Sequence, residues 1–344
     1  MQIVQTNVSL QQAAIPNKLQ QKGCFVSVGG TNLAAGAVAT VVSAASFSAL
    51  TPSAELQAKY NSFTANNKGN IAFDILELGA VVGTAATITA ISAYVAANPK
   101  KYYSYLLPNG LQADATLAPF LSLHSAQNEM VYFYFASDAT VAVNFAGIKS
   151  ARQSINSLAA ATTENIAAAW MAVELNYNPS VSNKKTQAEF AFLFGVTQYA
   201  LTGTDDVNFK TWNLAYAGSG AEGGISNTIL RNAKGCDSKP TGYWYAVDWA
   251  QIETNQAIAN AIINGSNMQP PLSYDNQGIN ALRDVAQSRG DAGIAFNLLL
   301  QCTVTAVDLV TYTTQNPTHR PLGVYNGLQC RAVPQGGFEA IVFN

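Results

Sequence analysis

The chain has 344 residues, enough for two ordinary domains, or for one domain carrying insertions, each with a core of its own. Lys and Arg number 18 against 20 Asp and Glu, a formal charge of −2, which excludes the basic field of a nucleic-acid binder and the acidic block of a disordered tail. Charged residues are 11% of the chain, well under the average of about 25% for soluble domains, so the surface is unusually neutral. Neighbours in an assembly are expected to cover much of such a surface, an ordinary low-charge monomer being the alternative.

Cys24, Cys236, Cys302 and Cys330 are widely spaced, without a Cys-x-x-Cys pair or a histidine at ligand spacing, so no metal site is expected. Buried free thiols in a reducing cytosol are the expectation instead. The first nine residues have neither the basic stretch nor the apolar run of a signal peptide. The apolar stretch 71–97 is interrupted by Asp74 and Glu77, so no membrane span and no membrane partner are expected.

Residues 2–10 alternate, with Val4, Thr6, Val8 and Leu10 on one face and Gln5, Asn7 and Ser9 on the other, Ile3 being the exception. A polar stretch with Pro16 follows, so this first strand reads as an arm tethered to the body. Short apolar runs at 24–28 and 38–42 precede a helix opened by Thr51-Pro52-Ser53. Residues 71–78 read as a strand. Ile88, Ile91 and Val95 share a helical face that Asn98-Pro99 closes. Strand 102–107, helix 117–126 and the aromatic strand 130–136 follow, an order that predicts an α/β layer with a largely parallel sheet. The Ala-rich run 166–175 suits a helix or a buried strand equally, and the polar run 182–187 reads as an exposed excursion. Beyond residue 240 the pattern predicts a strand at 243–247 and a helix at 249–263. Asp275 then caps a second helix, with Gly290 beyond its end, and strands at 304–312 and 327–333 follow. At the C-terminus, Phe338, Ala340 and Val342 lie on one side of an extended chain and Ile341 and Phe343 on the other. A strand apolar on both sides needs cover on both faces, in its own sheet or in one built partly by another chain.

Little here predicts catalysis. Gly218-Ser219-Gly220-Ala221-Glu222-Gly223 matches G-x-G-x-x-G between a strand-like 212–217 and a helix-like 225–233, with Asp237 near the expected distance. Glu222, however, puts a carboxylate where a pyrophosphate would sit, and a surface loop is the stronger reading. His124 lies in an apolar stretch and His319 in a Pro-bracketed turn, so neither reads as a catalytic base. Asp205-Asp206 and Glu253 could form an acid/base pair, but adjacent aspartates suit a turn or a cap. Tyr243, Trp244, Tyr245 and Trp249 suggest a stacking platform, yet strand alternation splits them between two faces. No catalytic residue, cofactor or metal is assigned.

The run Gly242-Tyr243-Trp244-Tyr245-Ala246-Val247-Asp248-Trp249, the helix opening Pro271-Leu272-Ser273-Tyr274-Asp275-Asn276-Gln277-Gly278-Ile279, and the ending from Tyr325 to Asn344 together resemble the C-terminal half of bacteriophage contractile-tail sheath proteins, in their shorter myovirus form. The resemblance covers roughly residues 235–344. It implies a non-enzymatic virion subunit, assembled in the host cytoplasm. Such subunits stack as hexameric rings around a tail tube, with tube, baseplate and terminator proteins as partners. It also implies arms exchanged between subunits: Ile3, Val4, Thr6, Val8 and Leu10 at one end and Phe338, Ala340, Ile341, Val342 and Phe343 at the other. The fold expected is α/β, with α+β character in the C-terminal part and mixed sheets flanked by helices. Its divisions are an arm at 1–20, an α/β domain at 21–200, a sheath-core domain at 201–335 and a linking strand at 336–344. Tube, baseplate and capsid subunits remain alternatives, as does a nucleotide-binding enzyme using the Gly218 loop.

Overall fold

The computed structural model describes residues 22–69, 71–127, 129–157, 162–177, 188–221, 224 and 226–336. Both expected arms, and the polar run 182–187, lie outside the described residues. The described chain forms two compact units, 22–242 and 243–336.

In the first unit the elements are β1 (Gly23–Ser27), β2 (Val38–Val41), α1 (Ala44–Ser48), α2 (Ala54–Asn66), β3 (Phe73–Glu77), α3 (Thr84–Ala97), β4 (Ser104–Leu106), α4 (Leu117–Ala126), β5 (Tyr132–Ala136), β6 (Ala151–Ile155), α5 (Ile166–Leu175), α6 (Gly203–Trp212), β7 (Ala215–Ser219) and β8 (Thr228–Arg231). Eight strands form one sheet in the order β2-β3-β1-β4-β5-β6-β7-β8. The six inner strands run parallel, and β2 and β8 close the two sides antiparallel. The sheet therefore continues through residues 200/201, the boundary expected from the sequence.

A parallel sheet needs cover on both faces, and the strand residues divide accordingly. Cys24, Val26, Leu76, Tyr105, Phe133 and Phe135 share a cluster with Ile88, Ile91 and Val95 of α3 and Leu121 of α4. On the opposite face Phe25 packs on Phe63 of α2, centroids 5.2 Å apart, and Tyr134 meets Trp170 of α5 edge-on at 5.4 Å. The undecided run 166–175 is thus a helix. Asn165 caps it by accepting from Ala168 N–H, and all ten residues are buried, lying against α2 and strands β4 to β6. Its small alanines permit that close approach, which is why its sequence has no polar stripe.

At the C-terminal ends of β1 and β3, the buried Glu77 carboxylate accepts from Ser27 Oγ, Thr31 N and Oγ1, Gly29 N and Gly79 N at 2.6–3.0 Å. Burial opposes ionisation, but these donors prevail and hold its pKa below the ordinary glutamate value.

The second unit contains α7, whose first two residues belong to the unit before it (Thr241–Ser266), α8 (Asn276–Ala295), β9 (Leu299–Ala306), α9 (Leu309–Gln315) and β10 (Leu328–Pro334). Several sequence expectations are corrected. Residues 243–247 are helix, not strand: buried Tyr245, Ala246, Trp249 and Ala250 follow helical spacing, which outweighs the strand preference of the aromatics. Residues 225–233 supply strand β8 rather than a helix, because Ile229 and Leu230 pair with Gly218 and Ala217. Trp212 ends α6 rather than starting a strand. The expected strand 304–312 stops at Ala306, where Asp308 accepts from Thr311 N–H and starts α9. Gly290 lies inside α8, which runs on to Ala295.

Candidate assembly site

Among the described residues, the sheet of the second unit is the antiparallel pair β9–β10. Asp275 caps α8 by accepting from Gly278 N–H at 2.8 Å, as its position before an apolar-periodic run predicts. Gly278, Ile279, Ala286, Gly290 and Gly293 are its buried residues. Gly290 and Gly293 face β9, whose Cys302 and Val304 are 7% exposed while Gln301, Thr303 and Thr305 lie in solvent. Gly290 is required by contact: a Cβ there would stand 2.3 Å from Cys302 Sγ.

The ladder pairs Leu328 with Ala306, Cys330 with Val304 and Ala332 with Cys302. Val307 N–H bonds Gly327 C=O at 3.0 Å and Gln335 N–H bonds Leu298 C=O at 2.8 Å, so odd-numbered residues of β10 turn their backbone groups towards β9. By alternation, the N–H and C=O groups of Leu328, Cys330 and Ala332 point outward. The Sγ atoms of Cys302 and Cys330 are 3.7 Å apart. Burial, and then the Cys330 sulfur, push the Cys302 thiol above its ordinary value. Around this pair, Tyr312 Oη binds His319 Nδ1 at 2.6 Å and Asn326 N–H at 2.8 Å, so His319 braces a connector, as its Pro-bracketed position suggests.

The other candidates are taken up by structure. Gly218 is a strand residue opposite Ile229, and the segment 225–233 expected as a helix after the G-x-G-x-x-G run supplies strand β8 instead. Asp205 completes a capping box with Thr202, and Asp206 pairs with Lys210 at 2.7 Å and Tyr216 Oη at 3.3 Å. His124 is buried against Phe120 and Phe133 and paired with Glu129. Tyr245 and Trp249 are buried on α7, and Tyr243 and Trp244 are half-buried, so they present no stacking platform. Cys24 and Cys236 are buried thiols, and burial pushes Cys236 up to about 12. Among the described residues no group of three His, Cys, Asp or Glu is placed to hold a metal ion, and no helix is long and apolar enough to cross a membrane.

Of the residues expected at subunit contacts, Ile3, Val4, Thr6, Val8, Leu10, Phe338, Ala340, Ile341, Val342 and Phe343 all lie outside the described residues. What sequence reading missed is Gln287 on α8, whose side chain reaches the backbone of β9. A glutamine in a helix otherwise reads as solvated face, so no pattern singles it out.

No family model matches the chain, and no curated protein matches it. Solved structures do. A chain of the anti-feeding prophage (AFP) baseplate, determined by cryo-EM with six-fold symmetrisation, is similar over 98% of this chain and 97% of its own, at 12% identity and a TM-score of 0.67. The sheath tail protein of Desulfitobacterium hafniense is similar over 87% of this chain and 93% of its own, at 11% identity and a TM-score of 0.51. The fold is sheath-like. The likeness covers both units, whereas the sequence resemblance reached only the second, and at such identity only the backbone plan is shared.

Proposed function

We propose that this chain is a structural subunit of a phage or phage-like contractile tail, of the sheath type, which polymerises in stacked six-fold rings around a tail tube and drives it by changing its packing. The observation that carries this reading is the likeness over nearly the full length of both this chain and a chain of a six-fold baseplate assembly. A sheath tail protein sharing the fold and the low charge of this chain both support it. The mechanism needs no nucleotide: subunits joined by added strands keep their links while rigid bodies slide from one packing to another. Few charged pairs then have to be broken, a cost of about 3–5 kcal/mol each when buried. Virion localisation, with tube, baseplate and terminator partners, belongs to this proposal.

The AFP likeness favours a second reading, a subunit confined to the baseplate end. Electron microscopy of the purified chain, alone and with tube protein, separates the two. Long hollow sleeves support the sheath reading, single rings support the baseplate reading, and dispersed particles under all conditions refute both.

A further inference from the structure

Two thiols in contact are a reaction site when one of them can be reached from solvent. Cys302 on β9 and Cys330 on β10 are such a pair: their Sγ atoms are 3.7 Å apart, Cys330 is exposed and Cys302 is only 7% exposed. The register explains the meeting. Cys330 stands opposite Val304 and Cys302 opposite Ala332, so the four side chains share one face of the ladder and the cysteines lie across its diagonal. Cys24 and Cys236, by contrast, are enclosed in the core of the first unit, where no reagent reaches them in the folded chain.

The buried partner is held in place. Gln287 of α8 accepts from Val304 N–H at 2.8 Å and donates to Cys302 C=O at 3.2 Å, and Asp291 Oδ1 accepts the second Nε2 hydrogen at 2.8 Å. Gly290 leaves the space that the Cys302 sulfur fills. Closing the gap to the disulfide length of about 2.05 Å therefore falls to the Cys330 side chain, which turns in solvent.

We propose that Cys302 and Cys330 are a modification site, at which a low-molecular-weight disulfide such as oxidised glutathione converts the two thiols into one disulfide that fastens β10 to β9. The Cys330 thiolate attacks one sulfur of the reagent, whose S–S bond breaks and releases a glutathione thiolate. Cys302, its proton lost to solvent, then attacks Cys330 Sγ and expels the second glutathione thiolate. Two protein thiols are oxidised, one reagent disulfide is reduced, and the two released thiolates take up the two protons. The order follows from the setting: Cys330 is in solvent, whereas burial, and then the Cys330 sulfur, hold the Cys302 thiol above its ordinary value and keep its thiolate scarce. A reducing cytosol keeps the pair open, and an oxidising medium closes it. The closed form ties together the two ends of segment 303–329, which contains α9 and the connector braced by Tyr312 and His319. None of this depends on the assembly reading above.

The test treats the native full-length chain with oxidised glutathione at two protein concentrations about tenfold apart, then alkylates it and maps its peptides without reduction. The peptide holding Cys302 is joined to the one holding Cys330, the chain is lighter by the two hydrogens lost, and the yield is equal at both concentrations. Cys330→Ser, at an exposed position, abolishes the product and leaves Cys302 unmodified, whereas Cys302→Ala stops at a glutathione adduct on Cys330. In the oxidised wild type the β10 amides exchange about tenfold more slowly, or slower still, while those of β1 are unchanged. The proposal is overturned if the wild type stops at the Cys330 adduct, if the bond joins separate chains in a yield that rises with concentration, or if it forms only in denaturant. Sleeves or rings built by a chain whose thiols never join sink this proposal and leave the assembly function standing. A closed pair in particles that stay dispersed under all conditions does the opposite.

Discussion

The two ends of the described chain meet the same backbone problem and solve it differently. At the last strand of the large sheet, β8, residues 190–193 lie alongside: Phe190 N–H bonds Leu230 C=O at 2.9 Å, Leu230 N–H bonds Ala191 C=O at 2.8 Å, and Leu193 N–H bonds Thr228 C=O at 2.9 Å. That edge is covered from within. In the second unit one edge is closed by a side chain and the other is bare among the described residues. A two-stranded sheet is marginal by itself, and here α8 supports one face only. The first unit thus covers its edge with its own backbone, whereas in the second a side chain engages the β9 edge.

Substitutions can break or sharpen that contrast. The largest effect belongs to the first unit: Trp170→Ala empties a fully buried site on α5 and is expected to cost about 3–5 kcal/mol in denaturant unfolding. If the units are energetically separate, the β9–β10 amides keep their exchange rates in that variant. Glu77→Gln comes next, at about 1–3 kcal/mol near neutral pH, because several buried donors lose a charged acceptor. The folded pKa of Glu77 is depressed, so its contribution is complete above the unfolded value and fades as pH falls through the folded one. Wild type and variant should therefore converge in acid, and a gap that persists there contradicts the assignment.

In the second unit, Gly290→Ala gains helix propensity but drives a methyl into Cys302, and a net loss of about 1–2 kcal/mol is expected, against the usual sign for a helical glycine. Unchanged melting would mean that α8 and β9 separate easily. The smallest effect is a rate: the exposed Cys330 should take a thiol reagent first in the native protein, whereas Cys24 and Cys236 react only on unfolding. Assembly that covers β10 should slow the Cys330 reaction as well.

Where a segment's apolar pattern matched its final environment, the sequence was legible. Helix 117–126, strand 130–136 and the Asp275 cap needed only periodicity and capping chemistry. The errors came where tertiary packing outvoted local preference. Tyr243 to Val247 are strand-formers recruited into α7 because Tyr245 and Trp249, four apart, bury together. Gly290 read as a stop because its real reason, the approach of Cys302, lies twelve residues away. Of the candidate site, the terminal segments lie outside the described residues, and nothing local marks Gln287 as the residue that reaches β9. Which edge of a sheet is open depends on where a side chain such as Gln287 comes to rest.

That resting place has an architectural consequence. With Gln287 in position, the Val304 N–H and the Cys302 C=O are both held by α8, so the outer side of β9 is pinned to that helix and has to move with it; one amide three turns along a helix makes the two elements a single piece.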